Sequence, residues 1–112
     1  MKISKIEEAP EIPNPHKVSA RKILEHDHVT VIYLNIKKGE ALKKHITPVD
    51  VFFYVIEGKG IIEIGDETEE VEKETIIFSP AKIPHRLVNQ NSDLFRVLVV
   101  KTPKPTTETK LL

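Results

Sequence analysis

The sequence predicts an all-β protein, a sandwich or closed barrel, and two observations support this prediction. Short apolar runs rich in β-branched residues follow one another, separated by Gly, Pro and polar turn residues at close intervals. No long stretch free of Gly and Pro repeats its apolar residues at the i, i+3, i+4 spacing of a helix. Many short strands joined by tight turns favour two packed sheets or a barrel.

The strands are predicted in order along the apolar runs 18–25, 28–36, 51–57, 61–64, 69–74, 75–80, 83–89 and 94–100. A polar turn, His26-Asp27-His28, separates the first two runs. Gly58 and Gly60 supply the freedom that a tight connection needs, so we expect 51–57 and 61–64 to pair as a hairpin. A second turn is predicted at Gly65-Asp66-Glu67, before the acidic run.

The two ends of the chain lack strand or helix periodicity and contain five of its eight Pro residues. We therefore interpret residues 1–17 as an N-terminal arm, 18–101 as one β domain and 102–112 as a C-terminal tail. Both faces of 51–57 and of 94–100 are largely apolar, which predicts a cover on the outer face. A second sheet, an arm or another subunit would serve. We expect a homodimer with the arms contributing, and burial within one sandwich is the alternative.

Composition excludes several classes of protein. The 112 residues include no Cys, so disulfides and Cys-based metal sites are excluded. Seventeen Lys and Arg balance seventeen Asp and Glu, which argues against nucleic-acid or anionic-membrane partners. No apolar run is long enough to span a membrane, and we expect a cytoplasmic protein. The 30% charged fraction and heavy use of Ile are similar to the composition of thermophile proteins.

Two histidine motifs carry the chemistry of this sequence. Gly39, His45 and Gly58 fit the pattern G(x)5HxH(x)3-4E(x)6G, and Pro80, His85 and Asn89 fit G(x)5PxG(x)2H(x)3N. In these residues the chain resembles the cupin superfamily over about residues 21–101. The resemblance implies a double-stranded β-helix, the jelly-roll barrel, whose interior binds a small ligand and often a metal.

The departures from these motifs affect the metal ligands. Where the family supplies a second His and a Glu, this chain has Thr47 and Val51. His45 and His85 are then the candidate ligands for one divalent Zn, Fe, Mn or Ni, and two imidazoles are a poor set for any of them. A bulge after Pro48 would turn Asp50 inward to complete a facial triad, whereas regular strand alternation leaves it outside. Glu74 and Lys82 replace two motif glycines.

Strand alternation predicts which residues surround the histidines. Residues separated by even numbers share one face of a strand, and we expect this face to line the barrel interior. The candidate pocket is His45, Thr47, Val51, Phe53, Phe78, His85 and Leu87. His16, in the N-terminal arm, is a candidate to reach a barrel mouth, whereas His26 and His28 are expected in an exposed turn.

Three functions agree with these residues. The first is a small-molecule-binding protein of unknown ligand, with the pocket around His45 and His85. The second is a metal-dependent enzyme of the isomerase, dioxygenase or decarboxylase type, using His45, His85 and Asp50 or Thr47. The third is a metal-free enzyme with a His base and Tyr33 or Tyr54 as acid. The sequence leaves open whether the protein is an enzyme.

Overall fold

A computed structural model describes all 112 residues, and almost all of its regular structure is β. Nine strands follow one 3₁₀ turn at Ile6–Glu8. They are β1 (Ser19–His26), β2 (Val29–Asn35), β3 (His45–Ile46), β4 (Asp50–Ile64), β5 (Glu67–Glu72), β6 (Ile76–Ser79), β7 (His85–Val88), β8 (Phe95–Thr102) and β9 (Lys110–Leu111). The predicted all-β class is confirmed. No helix in the structure is long and apolar enough to cross a membrane.

The strands form two facing sheets that share β4. The first half of β4 pairs with β6 and β8, and β8 continues the sheet through β2 to β1. The second half of β4 pairs with β5 and β7, and this sheet continues through β3 to β9. All the pairs are antiparallel. The result is a jelly-roll barrel with its apolar residues between the sheets.

The expected hairpin between 51–57 and 61–64 is wrong, because β4 runs without a turn through both segments. A β-bulge between Val55 and Glu57 and a φ of 80° at Gly58 bend the strand instead. Gly58 lies against the next loop so closely that a Cβ there would stand 1.7 Å from the Leu94 carbonyl oxygen. The glycine therefore carries the strand from one sheet to the other. The second predicted turn is present, since β4 and β5 form a hairpin around Gly65-Asp66.

The two positions at which the motif glycines are replaced keep a left-handed backbone. Glu74 has a φ of 65° and Lys82 a φ of 66°. Their amides are fixed by hydrogen bonds, from Glu74 to the Val55 carbonyl at 2.8 Å and from Lys82 to the Thr47 carbonyl at 2.9 Å. The turns thus retain their shape without glycine, at the steric cost of a Cβ in this region.

Both chain ends fold onto the barrel. The N-terminal residues run along β1, where Glu11 forms an isolated bridge with Arg21. The C-terminal residues return as β9, which pairs with β3 and places Leu111 opposite His45. The arms predicted from the lack of periodicity therefore contribute part of the barrel's wall.

Candidate functional site

The two motif histidines, His45 and His85, open onto a cavity of about 330 Å³ inside the barrel. Both sheets and both chain ends contribute to its wall. Its apolar lining includes Ile12, Ala20, Ile32, Leu34, Leu42, Phe53 and Val99, and its polar lining includes His16, His45, Thr47, His85 and Lys101. A larger open depression between β5 and β6 contains no histidine. We therefore place the candidate site in the smaller cavity, where polar groups converge within an apolar wall.

His45 and His85 face each other across a strand pair. They are directly opposite in the ladder between β3 and β7, and their Nε2 atoms are 3.1 Å apart. Their side chains are almost fully buried. Phe53 packs its ring edge to face against His85, with the ring centroids 5.2 Å apart. The predicted pairing of His45 and His85 in one pocket agrees with this geometry.

Hydrogen bonds assign a tautomer to each ring. His45 Nδ1 lies 2.7 Å from the Lys43 carbonyl oxygen, which can only accept, so Nδ1 carries the proton. His45 Nε2 is then an acceptor, and His85 Nε2–H donates to it. His85 Nδ1 in turn accepts from the Ser79 hydroxyl at 2.7 Å. Two neutral imidazoles are thus connected head to tail between a buried hydroxyl and a backbone carbonyl.

The surroundings of the histidines favour their neutral form. Burial, together with the neighbouring charges of His45 and Lys101, lowers the pKa of His85 to about 3. Burial also lowers the pKa of His45, although the hydrogen bond to the Lys43 carbonyl opposes this effect. At neutral pH both rings are uncharged, in agreement with the hydrogen-bond chain.

His16 joins this pair from the N-terminal arm. Its ring centroid is 4.8 Å from that of His45. His16 Nδ1 accepts a hydrogen bond from the Lys43 amide at 2.9 Å, so in the neutral ring the proton is on Nε2. Burial, with a smaller contribution from the neighbouring charge of His45, lowers the pKa of His16 to about 4. The arm of the same chain brings this residue to the barrel mouth.

Lys101 lines the cavity, although the sequence did not lead us to expect it there. It is on β8, and burial lowers the pKa of its ammonium group. Alternation along β8 would have found it, because Lys101 is in phase with the buried Val97 and Val99. Ser79 was also missed, since its role depends on a contact with His85 that no spacing rule reveals.

Other predicted pocket residues lie elsewhere. Thr47 and Phe53 line the cavity, but Val51 and Leu87 are fully buried in the hydrophobic core behind it. The prediction for Phe78 is wrong: its side chain is 58% exposed on the outer face of β6. The phase of β6 is the opposite of the expected one, because Ser79 is the residue that points inward.

Of the two orientations considered for Asp50, the structure has the outward one. Its side chain is exposed, and its Oδ1 accepts a hydrogen bond from the Ala81 amide at 2.9 Å. Regular pairing of Asp50 with Thr102 continues into Val51 without a bulge, so strand alternation keeps the carboxylate outside.

The tyrosines and the motif asparagine have structural positions. Tyr33 Oη accepts a hydrogen bond from Arg96 Nε at 2.7 Å on the outer side of the sheet, so it does not meet the histidines. Tyr54 pairs with Ile76 and shares that outer face. Asn89 is buried and donates to the carbonyls of Ile36 and Ser92. His26 and His28 are exposed at the β1–β2 turn, as expected.

The donor set does not fit a catalytic divalent metal ion. No three His, Asp or Glu side chains are arranged to hold one. A catalytic metal ion normally has three strong protein ligands. Here the third group beside His45 and His85 is the neutral hydroxyl of Thr47, 3.4 Å from His85 Nε2. The ammonium group of Lys101 lies close enough to lower the pKa of both rings, and it would repel a cation as well.

Comparison with known proteins decides the family. The family model described as "Cupin domain" matches residues 32–101, more than half of the chain. This chain belongs to the cupin family. An uncharacterized protein of Methanocaldococcus jannaschii is 28% identical to this cupin over 85 residues, covering 75% of this chain and 73% of that protein.

Solved structures agree on the fold. The polyketide cyclase RemF from Streptomyces resistomycificus superposes with a TM-score of 0.85 at 21% identity, covering 100% of this cupin and 85% of RemF. An RmlC-like cupin with a double-stranded β-helix fold from Methanocaldococcus jannaschii has a TM-score of 0.78 at 21% identity, covering 92% and 91% of the two chains. At these identities the likeness shows the fold alone, and the predicted double-stranded β-helix is confirmed.

Proposed function

We propose that this cupin binds a small organic molecule in the cavity around His45 and His85. The observation that supports the proposal is the convergence of buried imidazoles and one lysine within a largely apolar cavity of about 330 Å³. That volume accommodates a small metabolite. Apolar walls supply contact area, and the few polar groups would fix its orientation.

The wall itself supports binding rather than simple packing. Val51 and Leu87 are fully buried in the core, whereas Phe53 and Ile32 border the same open space as the histidines. Large voids are unfavourable in protein interiors because their lining atoms lose dispersion contacts. A cavity with polar groups at one side is therefore a feature that function explains better than stability does.

A pair of variants on one strand tests this proposal. Ile32 lines the cavity, whereas Val29, at the start of the same strand, points to the opposite face of β2. We expect Ile32→Trp to fill the cavity and abolish binding of small aromatic and aliphatic fragments, measured by ¹⁵N chemical-shift perturbation, while Val29→Trp leaves it intact. Shifts confined to the open depression between β5 and β6, or equal binding by both variants, would contradict the proposal.

A metal-dependent enzyme is the second candidate function. One observation favours it: the Nε2 atoms of His45 and His85 are 3.1 Å apart, and both would be free to bind a metal ion if His85 Nδ1–H donated to Ser79 Oγ instead of accepting from it. Elemental analysis of protein purified without a tag or added metal tests it. Near-stoichiometric metal that disappears in His45→Ala would support this candidate, and metal-free protein that is not stabilised by added Zn²⁺, Fe²⁺, Mn²⁺ or Ni²⁺ would contradict it.

We also propose that a second copy of the chain covers the outer face of the sheet that contains β6. Strand pairing aligns two uncharged rows across β6, β4, β8 and β2, namely Phe78, Phe52, Val100 and Val31, and Ile76, Tyr54, Leu98 and Tyr33. Ile76 is 65% exposed. Beyond these rows lies the ion pair of Arg96 with Glu57, so an apolar centre has a charged border, as in protein interfaces.

Sedimentation equilibrium tests the homodimer. We expect the wild type to have the mass of two chains at micromolar concentration and Phe78→Ser to have the mass of one. Leu94→Ser is the control, because Leu94 is a similarly exposed apolar residue outside the two rows. A single-chain mass for the wild type would refute the dimer. A cytoplasmic location stays a prediction, which cell fractionation tests.

A further inference from the structure

Lys101 is a cation inside the cavity without an anionic partner. It lines the cavity from β8, and it takes part in no ion pair and no side-chain hydrogen bond. The positive charge of Lys22 adds to the effect of burial and lowers the pKa of Lys101 further, so it does not balance the charge of Lys101. A partly buried ammonium group without a counter-charge is costly, and proteins normally pair it.

Apart from one exposed carboxylate, the other polar groups near Lys101 are donors or neutral. His16, which lines the same cavity, presents an Nε2–H that has no hydrogen-bond partner. Thr30, directly opposite Lys101 in the β2–β8 ladder, has a buried hydroxyl without a partner. The one carboxylate in the cavity wall belongs to Glu108, which is exposed on the C-terminal tail and forms no ion pair with Lys101.

We propose that the cavity is built for a carboxylic acid with an apolar body, bound as its monoanion, with the carboxylate on Lys101 and His16 Nε2–H. This inference rests on the proposed small-molecule function and adds the class of ligand. A single unpaired ammonium balances one negative charge, which favours a carboxylate over a phosphate dianion. The remaining wall, including Ile32, Leu34 and Phe53, offers apolar contact to the rest of the molecule.

Matched acids and amides test the charge directly. The probes are benzoate with benzamide, hexanoate with hexanamide and phenyl phosphate, each titrated into ¹⁵N-labelled full-length protein at pH 7. The amides have nearly the shape of the acids but no charge. We expect each acid to bind at least about tenfold more tightly than its amide, since a charge-assisted hydrogen bond is replaced by a neutral one. Phenyl phosphate should bind more weakly than benzoate.

Two substitutions of Lys101 separate charge from shape. Lys101→Met keeps an unbranched side chain only one atom shorter and should abolish the preference for acids, whereas Lys101→Arg should retain it. Lys73→Met, in the exposed turn before β6, is the control and should behave as the wild type. Because Lys101→Met removes a buried unpaired charge, we expect it to fold.

The outcomes distinguish this inference from the proposed function. Amides that bind in the cavity as tightly as acids, or an acid preference that persists in Lys101→Met, would overturn the carboxylate assignment and leave small-molecule binding standing. Tighter binding of phenyl phosphate than of benzoate would also overturn it. If no probe of either class shifts the resonances of the cavity, both proposals fail.

Discussion

Acid destabilisation of the barrel should be traceable to His85. The ring is 2% exposed, and burial lowers its pKa from the ordinary value of 6.5 to about 3. An unfolded chain binds a proton at this residue below about pH 6.5, whereas the folded protein does not until about pH 3. Between these values the unfolded state holds more protons, so stability falls as the pH falls.

The size of the effect follows from the two pKa values. At pH 5 an unfolded His85 is almost fully protonated and a folded one is neutral, which costs about 2 kcal/mol relative to pH 7. This loss is a large part of the stability of a small domain, which is roughly 5–15 kcal/mol. His16 should add a smaller part, because its ring is more exposed to solvent and its charge is better screened.

Urea unfolding at pH 7 and pH 5 measures this loss, and His85→Gln assigns it. The glutamine variant should be less stable at pH 7, because it breaks the chain from Ser79 to His45, but its loss between pH 7 and pH 5 should be smaller by about 2 kcal/mol. His28→Gln, in the exposed β1–β2 turn, serves as the control. Equal losses in the wild type and His85→Gln would refute the reasoning.

Three further predictions concern the turns and the buried polar residue. Gly58→Ala should lower the free energy of unfolding by about 3 kcal/mol or more, because the new Cβ would collide with the Leu94 carbonyl. Gly39→Ala should lower it by about 1 kcal/mol, because the φ of 85° is strained for Ala but no atom lies within 4 Å. Thermal unfolding of both variants compares these losses. Glu74→Gly should raise the free energy of unfolding by roughly 0.5–1 kcal/mol by relieving its left-handed backbone, and an unchanged or lower value would contradict this account. Asn89→Ala should lower it by about 2–4 kcal/mol in urea unfolding, because buried backbone groups at Ser92 and Ile36 lose their partner.

The fold was predictable because its signals are local and periodic. Alternation along a strand predicts which residues face inward, and turn residues mark many of the strand ends. The number of strands did not follow from the sequence, because two predicted strands are the single strand β4 and the short strands β3 and β9 were not expected. The continuity of β4 was harder to predict. Gly58 and Gly60 are residues typical of a turn, but here they allow the backbone at Leu94 and Phe95 and the ring of Phe95 to approach β4 closely. A glycine that permits close approach and a glycine that makes a turn look the same in a sequence.

The site was predictable only in part, because local patterns reveal some of its residues and not others. His45 and Thr47 share a strand phase, and His85 follows from the second motif, so these residues could be assigned to one pocket. Phe78 was assigned to the wrong face, since a strand of four residues that is apolar on both sides does not reveal its phase. The contribution of His16 depends on where an arm without periodicity lies, and no local pattern encodes that position.

The sequence by itself determined the all-β class, the cupin motifs, the absence of cysteine chemistry and the pairing of His45 with His85. Only the tertiary structure decided that Asp50 stays outside, that His16 and Lys101 line the cavity, and that no three His, Asp or Glu side chains are arranged to hold a metal ion. The physical reason is that periodicity specifies the face of each residue within a strand. Whether a charge is paired and whether a side chain is buried depend on residues from distant strands, which come together only when the chain folds.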